Sequence, residues 1–178
     1  MSYTGARMEA SSWWSPNCAK RSGKPMKILD LLAPERIMPD LHASNKRGVL
    51  EELSKTLVEG PDGLTVPAVM EVLLDRERLG STGIGDNIAI PHGKMAQLTE
   101  LRLSFGRSLK GVDFDSMDGK PSNLFFLLLA PVNSAGLHLK ALAKISRMLM
   151  SQTFRDNLMK APGAEEIYRL IAERDAEF

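Results

Sequence analysis

The chain has 178 residues, of which 43% are hydrophobic and 25% are charged, a composition typical of a globular protein with one sizeable core. Its 23 Lys and Arg nearly balance its 22 Asp and Glu, which gives a formal net charge of +1 at pH 7. Such a balance supplies no overall basic field for nucleic acid, so we expect no nucleic-acid partner and recognition of other partners through a local patch.

Cysteine content and hydropathy point to one cellular compartment. The single cysteine, Cys18, excludes an internal disulfide framework. No apolar run approaches the roughly 18 residues of a membrane span. We therefore expect a cytoplasmic protein with no direct membrane insertion.

Residues 1–25 differ from the rest of the chain, because they are rich in Ser, Gly and basic residues and show no sustained helical or strand periodicity. This pattern predicts a disordered N-terminal extension. The adjacent Trp13 and Trp14 leave open a second interpretation, an interface anchor, because tryptophan is enriched at binding hot spots. We treat residues 26–178 as the single folded domain.

Helical spacing is clear in two adjacent segments. Ser44 or Asn45 can cap a first helix, which we expect to end near Gly60. Thr65 can cap a second helix, with Gly80 at the position just after its end. The apolar positions that define these helices are Val49, Leu50, Leu53 and Leu57 in the first, and Val66, Val69, Met70, Leu73 and Leu74 in the second.

Two segments predict strands of different kinds. In residues 101–106, Leu and Phe alternate with polar residues or glycine, which is typical of a strand with one buried face. Residues 124–130 are all apolar, which favours a central strand covered on both faces. Further helices are predicted over 137–150 and from about Thr153 and Ala164. The pattern predicts an α/β domain whose sheet carries helices on both faces.

The most informative segment is the run from Arg76 to Lys94, which places one histidine between a proline and a glycine. Ile88-Ala89-Ile90 is short and apolar, and Pro91 offers no amide donor, so we expect a strand that stops just short of His92. The imidazole would then lie at the rim of a sheet, where an unprotonated ring nitrogen can act as a nucleophile near neutral pH.

The run Ile88-Ala89-Ile90-Pro91-His92-Gly93, with segments 115–121 and 137–139, resembles the fructose/mannitol-type enzyme IIA domains of the bacterial phosphoenolpyruvate-dependent phosphotransferase system. The similarity is strongest to the nitrogen-regulatory branch and extends from about Met26 to the last helix. It implies the enzyme IIA fold, a mixed β-sheet flanked on both faces by helices, and a phosphohistidine intermediate. Asn87 stands where the family usually has glycine, and we expect the turn to survive because asparagine tolerates positive φ.

The resemblance also implies roles for single residues. His92 would accept a phosphoryl group through Nε2 from an HPr-like histidine phosphocarrier protein, while its other ring nitrogen donates to a backbone carbonyl. His138, at a helix start and facing inward, would lie beside the acceptor and donate to a phosphoryl oxygen. Arg76 matches the family's arginine, whose planar guanidinium suits phosphoryl oxygens, whereas Arg78 is expected at the surface.

The loop residues Ser81, Thr82 and Gly83 have two interpretations. Their hydroxyl groups and amides could form a small phosphoryl-binding nest, or the loop could serve only as a turn. The glycines of this loop lack the spacing of a P-loop or of a dinucleotide-binding fingerprint.

No metal ion and no cofactor is predicted. The aspartates of segment 113–118 do not have EF-hand spacing and favour a turn between strands. His42, His92 and His138 lack the spacing of ordinary zinc ligands, and His42 is expected to be an exposed loop residue.

The resemblance leaves two functions open. One is a regulator whose phosphorylation state changes its binding to target proteins. The other is a sugar-uptake component that passes the phosphoryl group to an enzyme IIB for a fructose- or mannitol-like substrate. The sequence contains no IIB or membrane segment, and its Ser-Thr-Gly-Ile-Gly loop is typical of the regulatory branch, so we favour the regulator.

Overall fold

A computed structural model describes residues 25–178, so the extension predicted for residues 1–25 lies, apart from Pro25, outside the described residues. The first element of the described residues is a short 3-10 helix, Ile28–Asp30. The strands are β1 Leu32–Met38, β2 Gly83–Gly85, β3 Ile88–Ala89, β4 His92–Met95, β5 Arg102–Val112 and β6 Ser122–Pro131. The helices are α1 Lys46–Lys55, α2 Val66–Arg78, α3 Ala135–Leu149, α4 Gln152–Lys160 and α5 Ala164–Asp175.

The strands form one mixed sheet in the order β1-β5-β6-β3-β2, with β4 also paired to β6. β1 runs parallel to β5, and β5 runs antiparallel to β6. β3 and β4 both run parallel to β6, which makes β6 the central strand. Its residues 124–130 are buried throughout, as the apolar run predicts.

Helices cover both faces of the sheet, which confirms the predicted architecture. On one face, α3, α4, α5 and the 3-10 helix pack on a core that includes Leu103 and Phe126. On the other face, α1 and α2 pack on a second core that includes Leu53 and Leu127. None of the helices within residues 25–178 has the length and apolar character needed to cross a bilayer.

The helix starts follow the predicted caps. The Asn45 side chain accepts a hydrogen bond from the Gly48 amide at 2.9 Å, and Thr65 caps α2 in the same way. Gly80 follows the end of α2 with φ of +144°, a backbone angle that side-chain-bearing residues rarely adopt. The helix α1 ends at Lys55, before the expected Gly60, because its last turn tightens into the bond from the Leu57 amide to the Ser54 carbonyl.

The prediction of one buried face for residues 101–106 is wrong, because both faces of β5 are buried there. The polar face lies under α1 and its following loop. Ser104 Oγ accepts from Thr56 Oγ1 at 2.8 Å and donates to the Arg36 carbonyl at 3.1 Å, and Arg102 donates to the Leu57 carbonyl at 2.8 Å. These polar side chains are buried because each finds a partner in a neighbouring element.

The strand before His92 also differs from the prediction. β3 ends at Ala89, the chain is irregular at Ile90 and Pro91, and His92 then opens β4. Both strands keep the same register along β6, and the Pro91 carbonyl accepts from the Leu128 amide at 2.9 Å. Proline interrupts the ladder only on its own amide side, so pairing resumes at His92.

Candidate active site

His92 lies at an edge of the sheet between two helix ends. In residues 25–178, β4 pairs only with β6, so its other side is free of strands. The last turn of α2 supplies Arg76 to this edge, and the first turn of α3 supplies His138. The structure therefore brings together the three residues that the sequence analysis singled out for phosphoryl transfer.

The two ring nitrogens of His92 have different partners. Nδ1 lies 2.9 Å from the Ile90 carbonyl, which can only accept, so Nδ1 carries the proton of the neutral ring. Arg76 Nε donates to Nε2 at 3.2 Å, so that nitrogen presents its lone pair. The predicted backbone-carbonyl anchor is thus present, and the nitrogen that remains unprotonated is Nε2.

Both histidines of the site have a lowered pKa, which favours the neutral ring. Burial lowers the pKa of His92 below its ordinary value, and the Arg76 cation adds to this effect against the opposing hydrogen bond to Ile90. Burial also lowers the pKa of His138, with smaller contributions from His92 and Lys94. A neutral His92 has the lone pair that a nucleophile needs.

His138 faces inward from the helix start, as predicted, and only 8% of its surface is exposed. Its ring centroid lies 5.4 Å from that of His92. Within the described residues, His138 Nε2 is a buried ring nitrogen without a hydrogen-bond partner. Buried polar atoms are normally paired, so this atom is available to a group that binds between the two rings.

Arg76 connects His92 to the loop that follows α2. Its Nη1 donates to the Gly80 carbonyl at 2.9 Å while Nε contacts His92. Arg78 is exposed and pairs with Asp75 on the same helix, which confirms its predicted surface position.

The two hydroxyl groups of the loop Ser81–Gly83, and the amides of Thr82 and Gly83, already have partners inside the protein. Ser81 Oγ donates to the Phe114 carbonyl at 2.7 Å and accepts from the Gly83 amide at 3.1 Å. The Thr82 amide donates to Glu77 Oε1 at 3.1 Å, and the Thr82 hydroxyl donates to the same carboxylate. Any contact of these groups with a phosphoryl oxygen would require the present hydrogen bonds to change.

Sequence reasoning missed Glu77 and Lys46, which form an ion pair of 2.9 Å below this loop. Glu77 looks like an ordinary helical glutamate beside two arginines, and Lys46 is simply the first residue of α1. The available signal was Thr82 five residues after Glu77, close enough for the carboxylate to cap the turn after α2.

The remaining polar candidates adopt the structures predicted for them. Asp113 and Asp118 accept hydrogen bonds from backbone amides two residues on, as in Asx turns. Asn87 has φ of +64°, and its side chain donates to the Pro121 carbonyl at 2.9 Å. The side chain of His42 is 90% exposed. Within residues 25–178, no group of three His, Cys, Asp or Glu is placed to hold a metal ion.

Comparisons with known proteins place the chain among relatives that match most of its length. The chain is 45% identical over 147 residues to a nitrogen regulatory protein of Bradyrhizobium diazoefficiens. The match covers 83% of this chain and 95% of that protein. It is 32% identical over 149 residues to the fructose-specific EIIA component of Haloferax volcanii, which covers 84% of this chain and 92% of the relative.

Solved structures give the same result. The crystal structure of nitrogen regulatory protein IIA-Ntr from Neisseria meningitidis has a TM-score of 0.75 at 36% identity and covers 80% of this chain and 97% of that one. IIA mannitol from Escherichia coli, at 24% identity and a TM-score of 0.67, covers 79% of this chain and 98% of that one and supports the fold.

The model of one family matches residues 30–174, which include all the helices and strands described for residues 25–178 except the start of the 3-10 helix and the end of α5. That family is described as phosphoenolpyruvate-dependent sugar phosphotransferase system, EIIA 2. The chain belongs to this family of phosphotransferase-system IIA domains.

Proposed function

We propose that this protein accepts a phosphoryl group on His92 Nε2 from an HPr-like histidine phosphocarrier protein, and that its phosphorylation state regulates target proteins in the cytoplasm. The observation that carries the proposal is the pair of contacts on the His92 ring. Nδ1 is anchored to the Ile90 carbonyl and Nε2 keeps its lone pair. This is the protonation state that nucleophilic attack requires.

In the transfer step, the His92 Nε2 lone pair attacks the phosphorus atom of the donor phosphohistidine. The N–P bond of the donor breaks, its electron pair returns to the donor ring nitrogen, and a new N–P bond forms on His92. The proton on Nδ1 remains in place. Such a transfer passes through a loose, in-line transition state in which positioning and charge stabilisation supply most of the catalysis.

Arg76 has two roles in this mechanism, one before the transfer and one as the new bond forms. Before transfer it donates to Nε2 and disfavours protonation of the nucleophile. As the new bond forms, Nε2 loses its lone pair, and the guanidinium then donates to the incoming phosphoryl oxygens. A planar fork suits these oxygens better than an ammonium group does.

His138 stabilises the same group from the opposite side. Its buried, unpartnered Nε2 donates a hydrogen bond to a phosphoryl oxygen held between the two rings. The first turn of α3 adds the partial positive charge of a helix N-terminus. The neighbouring exposed residues Leu137 and Leu139 offer an apolar rim to the docking donor.

The test is phosphorylation with phosphoenolpyruvate, enzyme I and an HPr-like protein, followed by intact mass measurement. We expect one acid-labile phosphoryl group on the wild type and none on His92→Ala. His138→Ala serves as the matched variant, because it retains the nucleophile and should still accept the label, only more slowly. Stable labelling of His92→Ala would show that another residue is the acceptor.

The second candidate function is sugar uptake, in which the phosphoryl group passes to an enzyme IIB. It is favoured by the fructose-specific relatives, including the EIIABC component of Bacillus subtilis, which is 36% identical over 150 residues. That match covers 84% of this chain and 24% of the larger protein. The nitrogen regulatory relatives, one of them 45% identical to this chain, favour the regulator.

A further inference from the structure

Glu77 is a buried carboxylate that the transfer step above does not use. Only 6% of its side chain is exposed, and it follows Arg76 directly on α2. Its oxygens accept from the Thr82 amide, the Thr82 hydroxyl and Lys46 Nζ. A carboxylate with this many donors is held in one orientation, and it holds the donors in turn.

The contacts of Thr82 continue to the acceptor ring. The Thr82 carbonyl accepts from the Ile90 amide at 3.0 Å. The Ile90 carbonyl lies 2.9 Å from His92 Nδ1. Three hydrogen bonds, joined through the main chain of Thr82 and of Ile90, therefore connect Glu77 to the nitrogen that determines the tautomer of His92.

Lys46 keeps the far end of this series in place. Its ammonium group lies 2.9 Å from both Glu77 Oε2 and Asp115 Oδ2, and 4.9 Å from the centre of the Phe114 ring. Burial works to lower the pKa of Lys46, but the hydrogen bonds to Asp115 and Glu77 outweigh it and raise that pKa. The positive charge compensates the buried carboxylate, which would otherwise be costly in this position.

We propose that Glu77 is a positioning residue for phosphoryl transfer, which fixes His92 in the tautomer with the proton on Nδ1. Glu77 holds Thr82, Thr82 holds the Ile90 peptide, and the Ile90 carbonyl holds the Nδ1 proton. A neutral imidazole can carry its proton on either nitrogen, and only the Nδ1–H form leaves Nε2 free to attack. The kinetic part of this inference rests on the proposed function, whereas the tautomer does not.

The test compares Glu77→Gln and Thr82→Val with Glu71→Gln. Glutamine keeps the shape of Glu77 but removes its charge and replaces one acceptor oxygen with an NH2 group, which cannot accept from Lys46 or from Thr82. Valine replaces the Thr82 hydroxyl with a methyl group and keeps the Thr82 amide. Glu71 is an exposed glutamate on the same helix, and its variant controls for the loss of one negative charge from α2.

The first readout is long-range ¹H–¹⁵N NMR of His92 in the unphosphorylated proteins at about pH 8, where the ring is neutral. We expect the Nδ1–H tautomer in the wild type and in Glu71→Gln. Glu77→Gln should show a mixture of both tautomers, and Thr82→Val a smaller shift in the same direction.

The second readout is the kinetics of phosphoryl acceptance. Glu77→Gln should lower kcat about tenfold with little change in KM, because Glu77 is buried and does not contact the donor protein; a misplacement near 1 Å can cost up to about a hundredfold. An unchanged His92 tautomer in whichever of the two test variants remains folded would overturn the proposal. A wild type that is never phosphorylated would instead overturn the proposed function and leave the tautomer result intact.

Discussion

His92 is defined by what each of its ring nitrogens contacts. A carbonyl on Nδ1 and a guanidinium on Nε2 make the ring a neutral base with its lone pair directed toward a cation. Sequence resemblance was sufficient to bring His92, His138 and Arg76 to one site. The resemblance did not indicate Glu77: its contact with Thr82 is local, but its ion pair with Lys46 joins two helices and depends on the tertiary fold.

The charge of Arg76 and its shape can be separated by two substitutions. Arg76→Gln removes the cation that lowers the pKa of His92, so that pKa should rise toward its ordinary value of 6.5. The acid limb of the acceptance rate should then move to higher pH, because protonated His92 cannot attack. Arg76→Lys keeps the cation, so the rate should fall at the same pH as in the wild type. The maximal rate should be roughly ten- to a hundredfold lower, because about 1.5 to 3 kcal/mol of charge-assisted hydrogen bonding is lost.

The measurement is the rate of phosphoryl acceptance between about pH 5 and 8, a range that spans histidine titration. Three other groups near His92 are unchanged in both variants: Glu77 on α2, Lys94 on β4 and His138 on α3. Identical acid limbs for Arg76→Gln and Arg76→Lys would remove the cation as a cause of the lowered pKa.

At the scale of elements, local sequence patterns predicted the features that depend on nearby residues, namely helix caps and the buried strand β6. The caps at Asn45 and Thr65 and the apolar β6 are present, because capping groups and continuous apolar runs act within a few residues. β1 was not predicted. It carries Pro34 and two charged residues, which an edge strand tolerates but a sequence pattern does not reveal. The second buried face of β5 exists only because α1 covers it.

The contact between β4 and α2 places Arg76 against His92, and Gly93 makes it possible. A Cβ on Gly93 would lie 2.6 Å from Val72 Cγ1, well inside normal contact. Gly93→Ala should therefore destabilise the protein by about 1 to 3 kcal/mol and slow phosphoryl acceptance, because the helix must move away from the sheet edge. Urea unfolding measures the first effect and transfer kinetics the second.

Val72→Ala provides the decisive second substitution. It removes the methyl groups that a Cβ at position 93 would meet. The double variant should therefore lose less free energy of unfolding than the sum of the losses of the two single variants, by about 0.5 kcal/mol or more. Gly136→Ala is the control, since a Cβ there meets no atom within 4 Å and alanine favours the helix. Strict additivity of Gly93→Ala and Val72→Ala would mean that the two residues do not press on one another.

At the scale of the whole molecule, the site opens on a surface that also carries exposed apolar side chains. Leu79 at the end of α2 is 86% exposed, and Met117 in the turn before β6 is 83% exposed. The Met117 amide donates to the Gly83 carbonyl, so this turn is attached to the loop beside the site. A phosphoryl group of about −1.5 to −2 charge near such a surface would change which partners can dock.

The regulator and the sugar carrier differ in what captured partners should do. If the protein is a regulator, a target isolated from lysate should bind the unmodified and phosphorylated forms with affinities that differ at least about tenfold, a coupling near 1.4 kcal/mol. Isothermal titration with each form measures this ratio. If the captured partners are instead enzyme IIB proteins that take up the phosphoryl group rapidly and lose it to sugar, the uptake function replaces the regulatory one.

The common register of β3 and β4 along β6 has a consequence for how such a signal is encoded. Because β6 pairs with the chain on both sides of Pro91, we expect the main chain at His92 to keep its position when the ring is phosphorylated. The phosphorylated and unmodified forms should then share one main-chain structure and differ in the phosphoryl group at the sheet edge. A partner would then have to contact the phosphoryl group itself. Partners of unrelated shape could do so without recognising a second conformation of the protein.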